Sequence, residues 1–92
     1  MELENIEKNQ TITDWLKFID EYFAHRCPYK LNGEEKRELK QDIVIKLIEK
    51  YEKIKFAKSQ KWYIHTICRN TVIDFIKSQA RRGKILQYHQ DL

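Results

Sequence analysis

The scarcity of glycine and proline is the feature of this sequence that most restricts its fold. The chain has 92 residues, of which two are glycine and one is proline. Strands are joined by turns, and turns are rich in these two residues. Hydrophobic residues make up 41% and charged residues 35% of the chain, which is typical of a globular protein rather than a disordered one. The sequence therefore predicts an all-α domain.

The first predicted helix follows a flexible lead-in over residues 1–12. It starts near Thr13 or Asp14, which are both good N-cap residues. It stops before Pro28, because the residue before a proline avoids the α region, and a loop then runs from residue 27 to 33. Its apolar stripe consists of Trp15, Leu16, Phe18, Ile19, Tyr22 and Phe23.

The second predicted helix starts with a capping box, in which Asn32 caps and Glu35 lies three residues later. Its main apolar stripe predicts a helix that continues to about residue 54, followed by a turn over residues 55–58. The stripe consists of Leu39, Ile43, Leu47, Tyr51 and Ile54, and it is widened by Val44 and Ile48.

The third predicted helix has Ser59 as its N-cap and ends near Arg82, with Gly83 as the C′ residue. At 100° per residue, its core face is formed by Ile64, Ile67, Cys68, Thr71 and Phe75. The opposite face carries Trp62, His65, Thr66, Arg69, Asn70, Ile73 and Lys77. An outward tryptophan beside an outward arginine is unusual, although Trp62 could instead pack on a neighbouring loop. The predicted architecture is a compact three-helix domain over residues 13–84, with a tail over residues 85–92.

Charge is distributed unevenly along the chain, whose net charge is +4. Residues 1–50 carry nine Lys/Arg and eleven Asp/Glu, whereas residues 51–92 carry nine and three. This asymmetry indicates a polyanion contact in the second half and a protein contact in the first. A solvated surface is the alternative.

Aromatic and basic residues alternate in the second half of the chain, a pattern typical of nucleic-acid binding. Lys and Arg neutralise phosphates, aromatic rings stack on unpaired bases, and Asn70 can pair with a base edge. Basic residues near a helix C-terminus also have a structural explanation, because they favour the helix dipole. The pattern favours single-stranded or melted DNA as the ligand. The candidate DNA-binding residues are Lys55, Phe56, Lys58, Lys61, Trp62, Tyr63, His65, Arg69, Asn70, Lys77, Arg81 and Arg82.

Other chemistry has little support in the sequence. A zinc site could be imagined from His25, Cys27, His65 and Cys68, but Cys68 falls on the core face and the first pair lacks a zinc-finger spacing. No metal and no cofactor is therefore predicted. Since there is no glycine-rich phosphate loop and no evident catalytic group, the protein is not expected to be an enzyme. The two separated cysteines and the acidic N-terminus predict a cytoplasmic protein with reduced thiols, and no apolar run predicts a membrane span.

Two segments resemble region 2 of the sigma-70 family of bacterial transcription initiation factors, particularly the extracytoplasmic-function type. ELKQDIVIKLI, residues 38–48, is similar to the family's DLVQEVFLRLW-like segment. IHTICRNTVIDFIK, residues 64–77, is similar to its LYRIARNLAIDLLR-like segment. Lys55-Phe56 followed by Trp62-Tyr63 is similar to the KF and WW pairs of primary sigma factors. The resemblance extends from about residue 14 to residue 82.

The resemblance implies two partners. It implies that the second helix binds the clamp helices of the β′ subunit of core RNA polymerase, for which the candidate residues are Gln41, Asp42, Ile45, Lys46 and Glu49. It also implies binding of the non-template strand of the melted −10 promoter element. Trp62 and Tyr63 match its upstream aromatic pair, Lys61, Arg69 and Asn70 lie where the family contacts the strand, and Arg81 and Arg82 match a phosphate-contacting end. The alternative for Gln41 and Asp42 is solvation, and for Asp74 an ion pair is the preferred interpretation.

Two departures from the family pattern affect the expected function. Ser59 stands where primary sigma factors have an aromatic that captures a flipped base. The family's region 4, which reads the −35 element, is not in the sequence, so a co-sigma subunit with a separate region-4 partner is expected, and a fragment is the alternative. A second functional hypothesis is a regulatory module that binds a region-4 partner or an anti-sigma factor. A third is a duplex-binding helical protein, which would need helix-turn-helix geometry.

Overall fold

The structure, a computed structural model, describes residues 2–82 as four α-helices and one π-helical turn. The elements in chain order are α1 (Glu2–Glu21), the π-helical turn (Tyr22–Arg26), α2 (Gly33–Glu49), α3 (Tyr51–Lys55) and α4 (Gln60–Ala80). The prediction of an all-α domain is confirmed. The predicted number of three helices is wrong, because the second predicted helix is divided into α2 and α3.

Helix α1 begins at Glu2, so the predicted start near Thr13 or Asp14 is wrong. Thr13 does not act as a cap, since its hydroxyl donates to the carbonyl of Asn9 at 2.8 Å, within the helix. The residues before it also contact the rest of the domain. Ile12 packs against the core, and the ammonium of Lys8 lies 4.9 Å from the centre of the Tyr51 ring. These contacts explain why the helix extends towards the N-terminus.

The end of the first helical segment lies where the sequence predicts it, before Pro28. Cys27 has an extended backbone (φ −74°, ψ 118°), and its N–H donates to the carbonyl of Tyr22 at 2.8 Å. This hydrogen bond spans five residues, which is the π-helical spacing. The π-helical turn itself has no counterpart in the prediction.

The capping box at the start of α2 is confirmed. The Glu35 N–H donates to the Asn32 side chain at 2.7 Å, and the Asn32 N–H donates to the Glu35 carboxylate at 3.0 Å. The prediction of a continuous helix to Ile54 is wrong, because the backbone leaves helical geometry at Lys50 (φ −105°, ψ 19°). The break redirects the chain, so that the Tyr51 ring packs 5.4 Å from the Trp15 ring, centre to centre.

Helix α4 is the central element of the core and packs on α1, α2 and α3. The predicted core face of the third helix is confirmed for Ile64, Ile67, Cys68 and Thr71, and Phe75 is partly buried against it. The buried residues Val72 and Ile76 were not predicted. Two predicted stripe residues, Leu16 and Ile48, are instead exposed by 36% and 46%.

Helix α4 ends at Ala80, and Arg81 is its C-cap, two residues before the predicted end. The predicted C′ residue Gly83 and the predicted tail over residues 85–92 lie outside the described residues. None of the helices described between residues 2 and 82 has the length and apolar character needed to cross a bilayer.

Candidate nucleic-acid interface

The first turn of α4 is set by its N-cap. Ser59 has an extended backbone, and its hydroxyl accepts a hydrogen bond from the N–H of Trp62 at 3.2 Å, as the sequence predicts. The side chain of Trp62 exposes 68% of its surface. The alternative in which Trp62 packs on a neighbouring loop is therefore not what the structure shows.

Polar contacts between α1 and the first half of α4 fix the position of the part of α4 that carries Trp62. The indole N–H of Trp15 donates to the Gln60 side chain at 3.0 Å. Nε2 of His65 lies 3.0 Å from the carbonyl of Phe18, and since a carbonyl only accepts, Nε2 carries the proton. The ammonium of Lys61 lies 2.8 Å from the carboxylate of Glu21 at the end of α1.

Two of the candidate DNA-binding residues are thus engaged within the protein. Partial burial lowers the pKa of His65 below 6.5, and the charges of Lys61 and Arg26 lower it further. His65 is therefore neutral at pH 7 and ties α4 to α1. The hydrogen bond from Lys61 lowers the pKa of Glu21, so the charge of Lys61 is balanced by a carboxylate beside it.

A groove lies between the π-helical turn and the first half of α4, and we call it the α4 groove. It has a volume of about 440 Å³, within the range of sites that hold small molecules. The predicted residues Lys61, Trp62, His65 and Arg69 line it together with Tyr22, Arg26, Ser59 and Thr66. Its walls combine aromatic and cationic side chains, which suits a stacked base and its phosphate.

The remaining candidate DNA-binding residues lie outside the α4 groove. Tyr63 is partly buried against the core. Phe56 exposes 77% of its surface in the turn before α4, with the ammonium of Lys55 5.7 Å from its ring centre. The other candidates are all exposed. Lys58 lies in the same turn, and further along the chain are Asn70, Lys77, Arg81 and Arg82. At 1.5 Å per residue, Lys77 lies ~22 Å from Trp62 along the helix axis.

Four of the lining residues were not among the candidate DNA-binding residues, and two of these four, Tyr22 and Arg26, belong to the π-helical turn. They stand four residues apart, so a continued helix also places them on one side. This spacing was visible in the sequence, but nothing local indicates that the side faces α4.

The candidate polymerase-binding residues separate into two groups. Gln41, Asp42 and Glu49 are exposed, and Ile45 exposes 54% of its surface, so these four form an outer face of α2. The ammonium of Lys46 instead donates to the hydroxyl of Thr71 on α4 at 2.9 Å. Lys46 therefore joins α2 to α4 rather than extending the outer face.

A second and larger cavity, an open depression of about 740 Å³ that is lined by α2 alone, lies beside the outer face of that helix. It shares Gln41 and Ile45 with that face, and it is bordered by Val44 and by the basic residues Lys36, Arg37 and Lys40. This part of α2 thus offers an apolar floor with cations at its edge.

Metal ligands do not converge in the part of the chain that the structure describes, where no three His, Cys, Asp or Glu side chains could share an ion. Cys68 is fully buried, and burial raises the pKa of its thiol to about 12. A thiol in such surroundings stays neutral and is a poor nucleophile and metal ligand.

The model of the family Sigma-70 region 2 matches residues 21–82, which is more than half of the chain. No curated protein and no solved structure gives a significant match. The chain belongs to the Sigma-70 region 2 family. It is therefore a sigma-factor domain, of a class of non-enzymatic transcription initiation factors that bind RNA polymerase and DNA.

Proposed function

We propose that this domain docks on core RNA polymerase through the outer face of α2 and holds the non-template strand of the melted −10 element in the α4 groove. The observation that carries the proposal is the position of Trp62. Its ring is 68% exposed and borders a groove that also contains Lys61 and Arg69. This groove lies within the segment that matches the family.

The domain acts by binding and carries out no covalent chemistry. Stacking of an unpaired base on an exposed aromatic ring contributes about 1–3 kcal/mol, and the cations add a salt-dependent attraction for the phosphates. Stacking is available only to a base that has left its pair. The attraction of the cations is available to any phosphate backbone near the groove, so the preference for the open form comes from stacking. Binding therefore shifts promoter DNA towards the open form.

The outer face of α2 suits a protein partner, because it combines the apolar Ile45 with polar and acidic neighbours. The proposed partner is the pair of β′ clamp helices of core polymerase. A separate region-4 subunit is proposed to supply −35 recognition, and a cytoplasmic location follows from this role.

The DNA half of the proposal is tested by open-complex formation with core polymerase. Trp62→Ala and Arg69→Ala are expected to reduce it about tenfold or more, in line with the loss of one stacked base or one phosphate contact. Lys53→Ala, at an exposed lysine of α3 outside both proposed surfaces, serves as the control. Circular dichroism establishes that each variant is folded, and equal activity of all three variants would remove the α4 groove as the DNA site.

The polymerase half is tested separately with Gln41→Ala combined with Asp42→Ala. This variant is expected to weaken binding to core polymerase and to leave binding of single-stranded DNA unchanged. A pull-down with core polymerase measures the first, and fluorescence anisotropy measures the second. Unchanged affinity for polymerase would reject the outer face of α2 as the docking surface.

A regulatory interaction module is the second candidate, and the cavity beside α2 favours it. Its apolar floor and its border of Lys36, Arg37 and Lys40 could accommodate an acidic region of a sigma or anti-sigma partner. Such a module does not need the exposed tryptophan. Trp62→Ala would then leave its activity in transcription unchanged, whereas the first proposal expects a loss.

A further inference from the structure

The α4 groove has a second wall that α4 does not supply. The π-helical turn forms this wall, and its last residue, Arg26, is exposed and borders the groove with Trp62 and Arg69. Its charge reaches the other wall, because it contributes to the lowered pKa of His65 on α4, for which burial is the largest cause. An arginine from each wall, Arg26 and Arg69, therefore borders the groove that the exposed indole also lines.

The distribution of ion pairs leaves these two arginines as the cations available to a ligand. Among residues 7–82, whose side chains the structure describes, the ion pairs are Lys40–Asp20 and Lys61–Glu21, so neither pair involves Arg26 or Arg69. Lys61 is the third cation of the groove, but it has a carboxylate 2.8 Å away. An incoming phosphate would have to compete with Glu21 for Lys61 but not for Arg26.

We propose that Arg26 is a DNA-contacting residue that binds a backbone phosphate of the unpaired strand, so that the strand is held between the π-helical turn and α4. The guanidinium is planar and donates two parallel hydrogen bonds, which match the geometry of a phosphate. Trp62 takes a base of the same strand, and Arg69 contacts the backbone from the other wall. This assignment rests on the proposed function, because it concerns the same groove and the same ligand.

The chemistry of the groove also explains why the ligand is a single strand. Its volume of about 440 Å³ accommodates a nucleotide, and an exposed ring offers stacking only to a base that has left its pair. The carboxylate of Glu21, which lies beside Lys61, repels the phosphates of the strand. Two free arginines and one neutralised lysine thus give the groove a small positive excess that is confined to its walls.

The test uses the full chain, alone and bound to bacterial core RNA polymerase. The probe is fluorescein-labelled oligothymidine, because base stacking on aromatic residues tolerates any sequence, and its affinity is measured by anisotropy over a series of salt concentrations. Arg26→Ala is expected to weaken binding about tenfold and to reduce the log–log salt slope by about 0.7, the value for one phosphate contact on a single strand. Arg26→Lys keeps the charge and is expected to restore the salt slope.

Three further variants complete the experiment. Lys53→Ala removes a positive charge at an exposed residue of α3, outside both proposed surfaces, and is the control that should bind like the wild type. Glu21→Gln removes the carboxylate beside Lys61 and is expected to raise the affinity, the opposite direction to Arg26→Ala. Arg26→Gln repeats the loss of charge with a longer polar side chain, in case alanine disturbs the π-helical turn.

The possible results distinguish this inference from the proposed function. Wild-type affinity in both Arg26→Ala and Arg26→Gln, together with weaker binding of Trp62→Ala and Arg69→Ala, would overturn the role of Arg26 and leave the groove intact. Absence of oligothymidine binding by the wild type, alone and on polymerase, would overturn both. Weaker binding of Arg26→Ala with an unchanged salt slope would also reject the phosphate contact, because the slope is proportional to the number of phosphates that the protein neutralises.

Discussion

The outer faces of α2 and α4 rest on the same core but expose different chemistry. On α2, the outer face consists of the polar or acidic residues Gln41, Asp42 and Glu49 around the apolar Ile45. On α4, the exposed Trp62 and Arg69 border a groove whose other wall carries Arg26. The two helices are joined by the hydrogen bond from Lys46 to Thr71 at 2.9 Å. One small domain therefore presents a surface suited to protein beside a surface suited to a polyanion.

The two faces also differ in how they are supported. The α4 face depends on contacts with a distant part of the chain, since His65 and Lys61 bond to Phe18 and Glu21 of the first helix. The outer face of α2 belongs to one helix, whose start is fixed by its own capping box. The groove therefore requires tertiary structure, whereas the α2 face requires only an intact helix seated on the core.

The largest expected effect tests whether both faces share one core. Ile64 is fully buried in α4, and Ile64→Ala is expected to lower the free energy of unfolding by about 2–5 kcal/mol, through lost burial and the cavity that remains. This is a large part of the stability of a small domain, so polymerase binding and DNA binding should fall together. Urea unfolding followed by circular dichroism measures the change.

Ile48→Ala provides the control for this core variant, because Ile48 exposes 46% of its surface and should change stability far less. A folded Ile64→Ala protein that loses DNA binding but keeps its full affinity for polymerase would contradict the shared core. It would show that the α2 face is supported independently of α4.

A smaller effect separates the stability of α4 from the charge of its groove. Ser59→Ala removes the cap of α4 and is expected to lower the free energy of unfolding by about 1 kcal/mol, with little loss of DNA binding while the protein is folded. Ser59→Asp keeps a capping oxygen and favours the helix dipole, so stability should be retained. Its carboxylate would lie in the groove and repel phosphates, so the affinity for single-stranded DNA should fall.

The two Ser59 variants should leave polymerase binding unchanged, which sharpens the contrast with the α2 face. Thermal unfolding measures the stability that Ser59→Ala should lose. Anisotropy with oligothymidine measures the affinity for single-stranded DNA that Ser59→Asp should lose. If Ser59→Asp bound DNA as tightly as the wild type, the strand would not pass near the N-terminus of α4.

The sequence predicted those features that depend on local spacing. The capping box at Asn32, the cap at Ser59 and the buried face of α4 all follow from residues within a few positions of one another, and the structure confirms them. The exposure of Trp62 followed from the same helical periodicity. The family match at residues 21–82 covers both predicted surfaces.

The sequence did not predict features that are decided by distant contacts. His65 bonds to a carbonyl 47 positions away, and Lys46 bonds to a hydroxyl 25 positions away, so neither side chain is free as the prediction assumed. The break at Lys50 likewise has no glycine or proline to mark it. Arg26 was overlooked because only the packing of the first helical segment on α4 turns it into a wall of the groove.

The smallest expected effect is a dependence of stability on pH, and it tests the support of the α4 face by α1. Burial lowers the pKa of His65 from its ordinary value of 6.5. The nearby charges of Lys61 and Arg26 lower this pKa further, whereas the charge of Glu21 raises it. The unfolded chain therefore takes up a proton at a higher pH than the folded domain. Stability is fully present above pH 6.5 and is lost as the pH falls through the lower pKa of the folded state.

Thermal unfolding between about pH 7.5 and pH 5.5 measures this dependence, and the melting temperature should fall on acidification. The lowered pKa of Glu21 acts only below its ordinary value of 4.5, outside this window. His65→Gln keeps an N–H that can reach the Phe18 carbonyl but cannot titrate, so its curve should be flatter. His25→Gln, at an exposed histidine of the π-helical turn, should retain the wild-type dependence. A His65→Gln curve as steep as that of the wild type would mean that His65 is not the titrating link between α1 and α4.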